Sequence, residues 1–399
     1  MLILINYMQM RMLKFIPKMR KKDMNIYDEI GVKKVINTLG NSTVLGGNTT
    51  SGEVKEAIES ASNNYVDMKE LTDTCRKLVA DLIGSESALI TPGAASALSL
   101  ATAGAMTGTD RTLIEQIPDT TGMKNEVIIQ TQLRVPYDKA IEVAGAKLIE
   151  VGSSEKTSVE HITNAINNNT IAIHYLPGGE SVASSGKHTN ALDIETIIKI
   201  AKDNNIYVIV DAAGQVYPTD NLTKYIKMGA DAVAYGAKYF GALNGTGILV
   251  GKSEIIEAAR LHSFIGFEFE KLRSIGRSMK MDKEDVIAVY VALKQWMTMN
   301  HEERIEIAEK KALLLKDKIS SVSNISISEP DISGTTIGLK ITLNENCPFN
   351  ADQLSEKLAS GNPSIWARGD DDTSVIFRMG TVNEEDLDIV ADKLKEILN

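Results

Sequence analysis

Two short apolar runs, Tyr207–Val210 and Ala232–Tyr235, decide most of what this chain can fold into. Each is bounded by polar turns and is too short for an amphipathic helix, so each reads as a buried strand. The first ends on a lone carboxylate, Asp211. The second leads through a glycine-bearing turn to a lone ammonium, Lys238. Open α/β sheets hold ligands outside the C-terminal ends of their strands. Asp at a strand end or Lys in a loop is ordinary surface taken alone. The pair, followed by Gly245-Thr246-Gly247-Ile248-Leu249-Val250, points to a ligand site within Ile206–Val250.

The flanking chain repeats the same grammar. Strands are expected at Ser87–Thr91, Val127–Gln130, Lys147–Val151, Thr170–Tyr175 and Ile206–Asp211, with helices at Val54–Ser62, Glu70–Gly84, Ala97–Met106, Val159–Asn167 and Leu192–Asp203. Strands alternating with helical stretches of that length imply a mostly parallel sheet. From Ile265 the character changes. A long helix with Val286, Val289, Tyr290, Leu293, Trp296 and Met297 on one face leads into shorter elements: strands Ile325–Ser328, Thr335–Leu343, Ser364–Arg368 and Ser374–Arg378, and helices Ala351–Ala359 and Glu384–Leu398. That is a small α+β domain. The expected division is 1–23 a misplaced start or disordered extension, 24–53 an N-terminal arm over the site, 54–264 the large α/β domain, and 265–399 the linker helix and small domain.

Composition narrows the function classes. At 399 residues with 43% apolar content the chain can bury a large core. A net charge of −10 argues against a nucleic-acid surface and for a soluble acidic protein. Cys75 and Cys347 lack metal-ligand spacing, no metal site is expected, and a reduced cytoplasmic compartment fits. No stretch reaches the roughly 18 apolar residues of a membrane span. The mixed apolar and basic start, MLILINYMQMRMLKFIPKMRKKD, lacks the order of a signal peptide.

A lysine and an aspartate so placed suit pyridoxal 5′-phosphate: the amine can bond the cofactor's aldehyde, and the carboxylate can keep its ring nitrogen protonated. At this point the chain resembles the fold-type-I pyridoxal-phosphate enzymes, and within them the selenocysteine-synthase-like group with its ammonia-lyase subgroup. The resemblance runs from Val35 to Leu398 and is densest in Ile117-Pro118-Asp119-Thr120-Thr121-Gly122-Met123-Lys124-Asn125-Glu126-Val127; Tyr65-Val66-Asp67-Met68 and Ser274-Ile275-Gly276-Arg277-Ser278-Met279-Lys280 add to it.

The resemblance implies a fold-type-I transferase fold with a mostly parallel seven-stranded sheet and a small C-terminal α+β domain. It implies Lys238 and Asp211 as catalytic residues, and Gly93, Ala94, Ala95 and Ser96 at the helix start that holds the cofactor phosphate. Leu133 stands where relatives carry a ring-stacking histidine, Ala213 packs on the pyridine face, Gln215 reaches the phenolic oxygen or the substrate, and Thr246 reaches a partner's cofactor phosphate in a homodimer or higher assembly. Substrate contacts are implied for Asn37, Lys124, Arg134, Arg277, Lys280, Arg368 and Arg378, the cations for carboxylate and phosphate groups. The loop Leu176–Thr189 can help close the site, with His188 a solvated histidine. Gly241 stands where relatives have arginine. The activity implied is elimination of ammonia from a hydroxy-amino acid or amino sugar acid, phosphorylated or not. Amino transfer, selenium transfer on seryl-tRNA and an idle cofactor-binding protein are the alternatives.

Overall fold

Period-two alternation within each strand builds a three-layer body. The computed structural model describes residues 25–177 and 190–398. Val208 and Val210 of β6 (Tyr207–Asp211) enter one apolar layer and Ile209 the other; in β7 (Ala232–Gly236), Val233 and Tyr235 oppose Ala232 and Ala234. Strands buried on both faces need helices on both sides. Helices Met68–Ile83, Ile194–Asp203 and Lys283–Thr298 cover one face, and Ala94–Thr107 and Ser253–His262 the other. The last two approach closely at Gly104, where a Cβ would stand 2.8 Å from the Ala259 nitrogen.

With β1 at Val35–Asn37, β2 at Ser87–Thr91, β3 at Glu126–Gln130, β4 at Lys147–Val151, β5 at Thr170–Tyr175 and β8 at Gly247–Gly251, the seven-stranded sheet has the order β2-β8-β7-β6-β5-β3-β4. All pairs are parallel except those of β8, which runs antiparallel to β2 and β7. A short connection from β7 turns straight back into β8, and Lys238 lies on it. Residues 178–189, which include His188 and most of the stretch expected to help close the site, the first 24 residues and residue 399 lie outside the described residues.

Helix His301–Lys318 leads into the second unit, an antiparallel sheet of β9 (Ile325–Ile327), β10 (Asp331–Ser333), β11 (Thr336–Leu343), β13 (Arg368–Gly369) and β14 (Ser374–Arg378). The single strand expected over Ser364–Arg368 is divided: β12 (Ser364–Trp366) pairs in parallel with β1, while β13 pairs with β14. Ile36 of β1 is therefore part of the small unit's core. The N-terminal stretch is anchored there before it crosses to the large sheet.

Candidate active site

Asp211 ends β6 and pairs in register with Ala234 of β7; Lys238 follows two residues after β7. Adjacent parallel strands thus deliver both side chains to one edge. Asp211 is buried and accepts a hydrogen bond from the Ala213 backbone N–H at 3.1 Å. Burial pushes its pKa up to about 6, and among the described residues no cation pairs with it. Lys238 Nζ donates to Thr43 Oγ1 at 2.6 Å, and no carboxylate among the described residues pairs with it. Partial burial lowers its pKa, which favours the nucleophilic free amine.

The returning strand brings a third component. Gly247, the first residue of β8, lies so close under the start of helix Ala94–Thr107 that a Cβ there would stand 2.6 Å from the Gly93 carbonyl carbon and 2.7 Å from the Ala94 nitrogen. Gly93 has φ +90°, a conformation that favours glycine. The free N–H groups at this helix start, beside Ala94 and Ala95, form an anion seat. The Ser96 hydroxyl donates to the Pro92 carbonyl at 2.9 Å. Ala213 and Gln215 follow Asp211 in a half-buried turn.

These residues fit a pyridoxal phosphate. A buried carboxylate without a cation is matched by a protonated ring nitrogen, an amine without an anion by an aldehyde, and a helix start by a phosphate. Among the described residues no cluster of metal-ligating side chains occurs and no helix is long and apolar enough to cross a membrane.

Other expected contacts are placed differently. Thr246 is buried; its hydroxyl donates to the Leu243 carbonyl at 2.7 Å, so in this chain it shapes the lysine loop and does not reach outward. Leu133 is sealed in an apolar cluster with Val135 and Leu176. Arg134 bridges Asp138 and Glu150, each at 2.5 Å, and is not a free cation for substrate. Lys124 precedes β3 and so lies at the opposite edge of the sheet, about 17 Å away by strand length. Arg277 pairs with Glu268 at 2.7 Å. Its segment is tied to His262, and through Thr107 to the C-terminal end of helix Ala94–Thr107, about 20 Å from the helix start. Lys280 is exposed just beyond it. Lys124, Arg277 and Lys280 therefore do not meet the site of their own chain.

Arg378 does. It ends β14, donates from Nε to Ser333 Oγ at 3.0 Å and from Nη1 to the Leu39 carbonyl at 3.2 Å, and lies against Gly40. Burial, then the Arg368 charge, lower its pKa, while Asp370 and Tyr239, the residue after Lys238, raise it. Arg368 is exposed on β13. Asn37 shapes the turn beneath Arg378: its side chain accepts from the Leu39 N–H at 2.9 Å and donates to the Gly40 carbonyl at 3.1 Å.

Three further participants complete the corner, two of them from the arm expected over the site. Thr43 meets Lys238 from 195 positions away, and Asn41 donates to the Lys238 carbonyl at 3.3 Å. Tyr239, beside the lysine, holds its ring 5.0 Å from Lys238 Nζ. An aromatic in so glycine-rich a corner was the available signal for it.

Comparison with known proteins agrees with this geometry. Residues 35–372 match the family described as L-seryl-tRNA selenium transferase. D-glucosaminate-6-phosphate ammonia lyase from Salmonella typhimurium is 28% identical over 94% of this chain and 98% of its own. A solved structure of D-glucosaminate-6-phosphate ammonia-lyase superposes with TM-score 0.80 at 26% identity, over 94% of this chain and 98% of that one. Aspartate aminotransferase from Thermotoga maritima shares the fold, with TM-score 0.54 at 16% identity over 94% of each chain.

Proposed function

The chain belongs to the L-seryl-tRNA selenium transferase family, and from that premise we propose that it is a lyase releasing ammonia and a 2-keto acid from a hydroxy-amino acid or amino sugar acid. It is a pyridoxal 5′-phosphate-dependent enzyme of fold type I. The observation that carries the lyase reading is Asp211 and Lys238, each without an opposite charge among the described residues, on adjacent strand ends of a chain similar along its length to an ammonia lyase.

Bound here, the cofactor supplies an electron sink for the bond broken at the substrate's α-carbon. Lys238 anchors the cofactor and, as a free amine, takes the Cα proton. Asp211 keeps a proton on the ring nitrogen. Arg378 takes the substrate carboxylate with the guanidinium edge left by its bonds to Ser333 and Leu39, and Arg368 meets any second anion, such as a phosphate. A departing β-hydroxyl then yields an enamine that water hydrolyses to keto acid and ammonia. The helix Ile26–Ile30 buries none of its residues, and Tyr65 and Val66 are exposed, which supports a homodimer or higher assembly covering them.

An ammonia and keto-acid screen over D- and L-hydroxy-amino acids, amino sugar acids and their phosphate esters tests the reading. Release of both products in equal amounts, without an added keto acid, is expected. Turnover only with an amino-group acceptor would make it an aminotransferase.

A further inference from the structure

Elimination of a hydroxyl needs a proton for the departing oxygen. Lys238 collects one at Cα but has to deliver it across to the β-oxygen, Arg378 remains charged, and Tyr239, beside Lys238, is placed to relay it. Its ring lies over two backbone positions that have no side chain: a Cβ at Gly236 would stand 3.2 Å from its Cδ2 and Cε2, and one at Gly214 3.6 Å from its Cζ. Both glycines flank the site, one ending β7 and one three residues past Asp211. The ring therefore occupies a recess kept open for it. Around it stand Lys238, with Nζ 5.0 Å from the ring centre, and Tyr137, Asp211 and Arg378 within electrostatic range. The ring is half-buried, yet its hydroxyl makes no hydrogen bond among the described residues. Thr43, the other hydroxyl beside Lys238, is engaged by the lysine amine. Burial pushes the Tyr239 pKa up to about 12, so the group carries its proton throughout the neutral range.

We propose that Tyr239 is a catalytic residue whose hydroxyl protonates the group leaving from the substrate's β-carbon, an inference that rests on the lyase reading above. The Cβ–O bond breaks with its electron pair going to oxygen, which takes the phenolic proton and departs as water. The electron pair of the Cα–H bond becomes the Cα–Cβ double bond. The Cα proton, held on Lys238 Nζ, then passes to the phenolate and restores both groups. The net change at this stage is loss of one water.

Tyr239→Phe removes the oxygen and leaves the ring in its recess. Three probes are used on the cofactor-loaded enzyme: the hydroxy-amino acid found by the ammonia screen, β-chloroalanine, whose chloride leaves without a proton, and D- and L-alanine in deuterium oxide, which report Cα proton exchange without any leaving group. Visible absorbance and borohydride trapping on Lys238 check that the cofactor is seated. The expected result is a loss of about 100-fold or more on the hydroxyl substrate, with β-chloroalanine turnover, alanine exchange and absorbance unchanged. Equal rates on the hydroxyl substrate for variant and wild type overturn the assignment alone. Parallel losses on all three probes also overturn it, since they make Tyr239 a structural support. A wild type that turns over β-chloroalanine but no hydroxy-amino acid overturns the lyase reading, and the role of Tyr239 with it.

Discussion

Two buried aspartates sit at opposite edges of the same pair of strands. Asp231, just before β7, accepts from the Val208 N–H at 2.7 Å and pairs with Lys252 at 2.6 Å. Asp211, at the far end of β6, has the Ala213 N–H and no cation among the described residues. The lower carboxylate helps hold the sheet together, with its bonding complete inside the chain. The upper one is left incomplete, as a site awaiting a ligand is. Cations divide the same way: Arg277 below has Glu268, whereas Lys238 above has a threonine hydroxyl and the Tyr239 ring but no carboxylate among the described residues.

The sharpest way to break this contrast is to neutralise each aspartate in the cofactor-free protein. The Asp211 pKa is about 6 when folded against an ordinary 3.8, so the folded state binds the extra proton between those values and stability falls as pH rises through them. Above pH 6 the cost is complete, at about 3 kcal/mol. Asp211→Asn should therefore stabilise the cofactor-free protein by about that much at pH 7.5 and by almost nothing at pH 4, read by denaturant unfolding. Unchanged stability at pH 7.5 would show that the carboxylate has a partner after all. In the loaded enzyme the same substitution should abolish most turnover.

Arg378 and Arg277 sharpen the comparison between edges. Arg378→Lys keeps the charge and loses the planar fork, and KM for the substrate should rise roughly tenfold to a hundredfold, the equivalent of about 1.5–3 kcal/mol for a charge-assisted contact. Asp231→Ala leaves the Val208 N–H without its acceptor and should destabilise the protein by about 1–3 kcal/mol while sparing chemistry, opposite in sign to Asp211→Asn. The smallest effect belongs to Arg277→Ala: an exposed ion pair contributes about 0–1 kcal/mol, and rates on phosphorylated and unphosphorylated substrates should both stay as in wild type. A selective loss on the phosphorylated form would bring Arg277 back to an active site, contributed across a subunit boundary.

How much of this was legible in the sequence follows from distance and direction. Asp211 and Lys238 lie on strands whose apolar runs are local, and strand ends can be counted without a structure. Lys124 precedes its strand, and in a parallel sheet that puts it at the edge away from the ligand; its family motif pointed the other way. Arg277 required the direction of β8 and the helices after it, which depend on one antiparallel reversal. Thr43 meets Lys238 through a chain path anchored by β1 in the small unit, and nothing local to Thr43 signals that pairing. The split of Ser364–Arg368 was hidden for the same reason, because β12 and β13 choose partners far apart in sequence.

The amine left without a counter-charge beside Asp211 is the one proposed to bond the cofactor. Borohydride reduction of the purified enzyme, followed by proteolysis and peptide mapping, tests it most directly. The reduced pyridoxyl group should be found on Lys238, and Lys238→Ala should carry none and lose the visible absorbance. A pyridoxyl group on another lysine, or undiminished labelling of Lys238→Ala, would contradict the account.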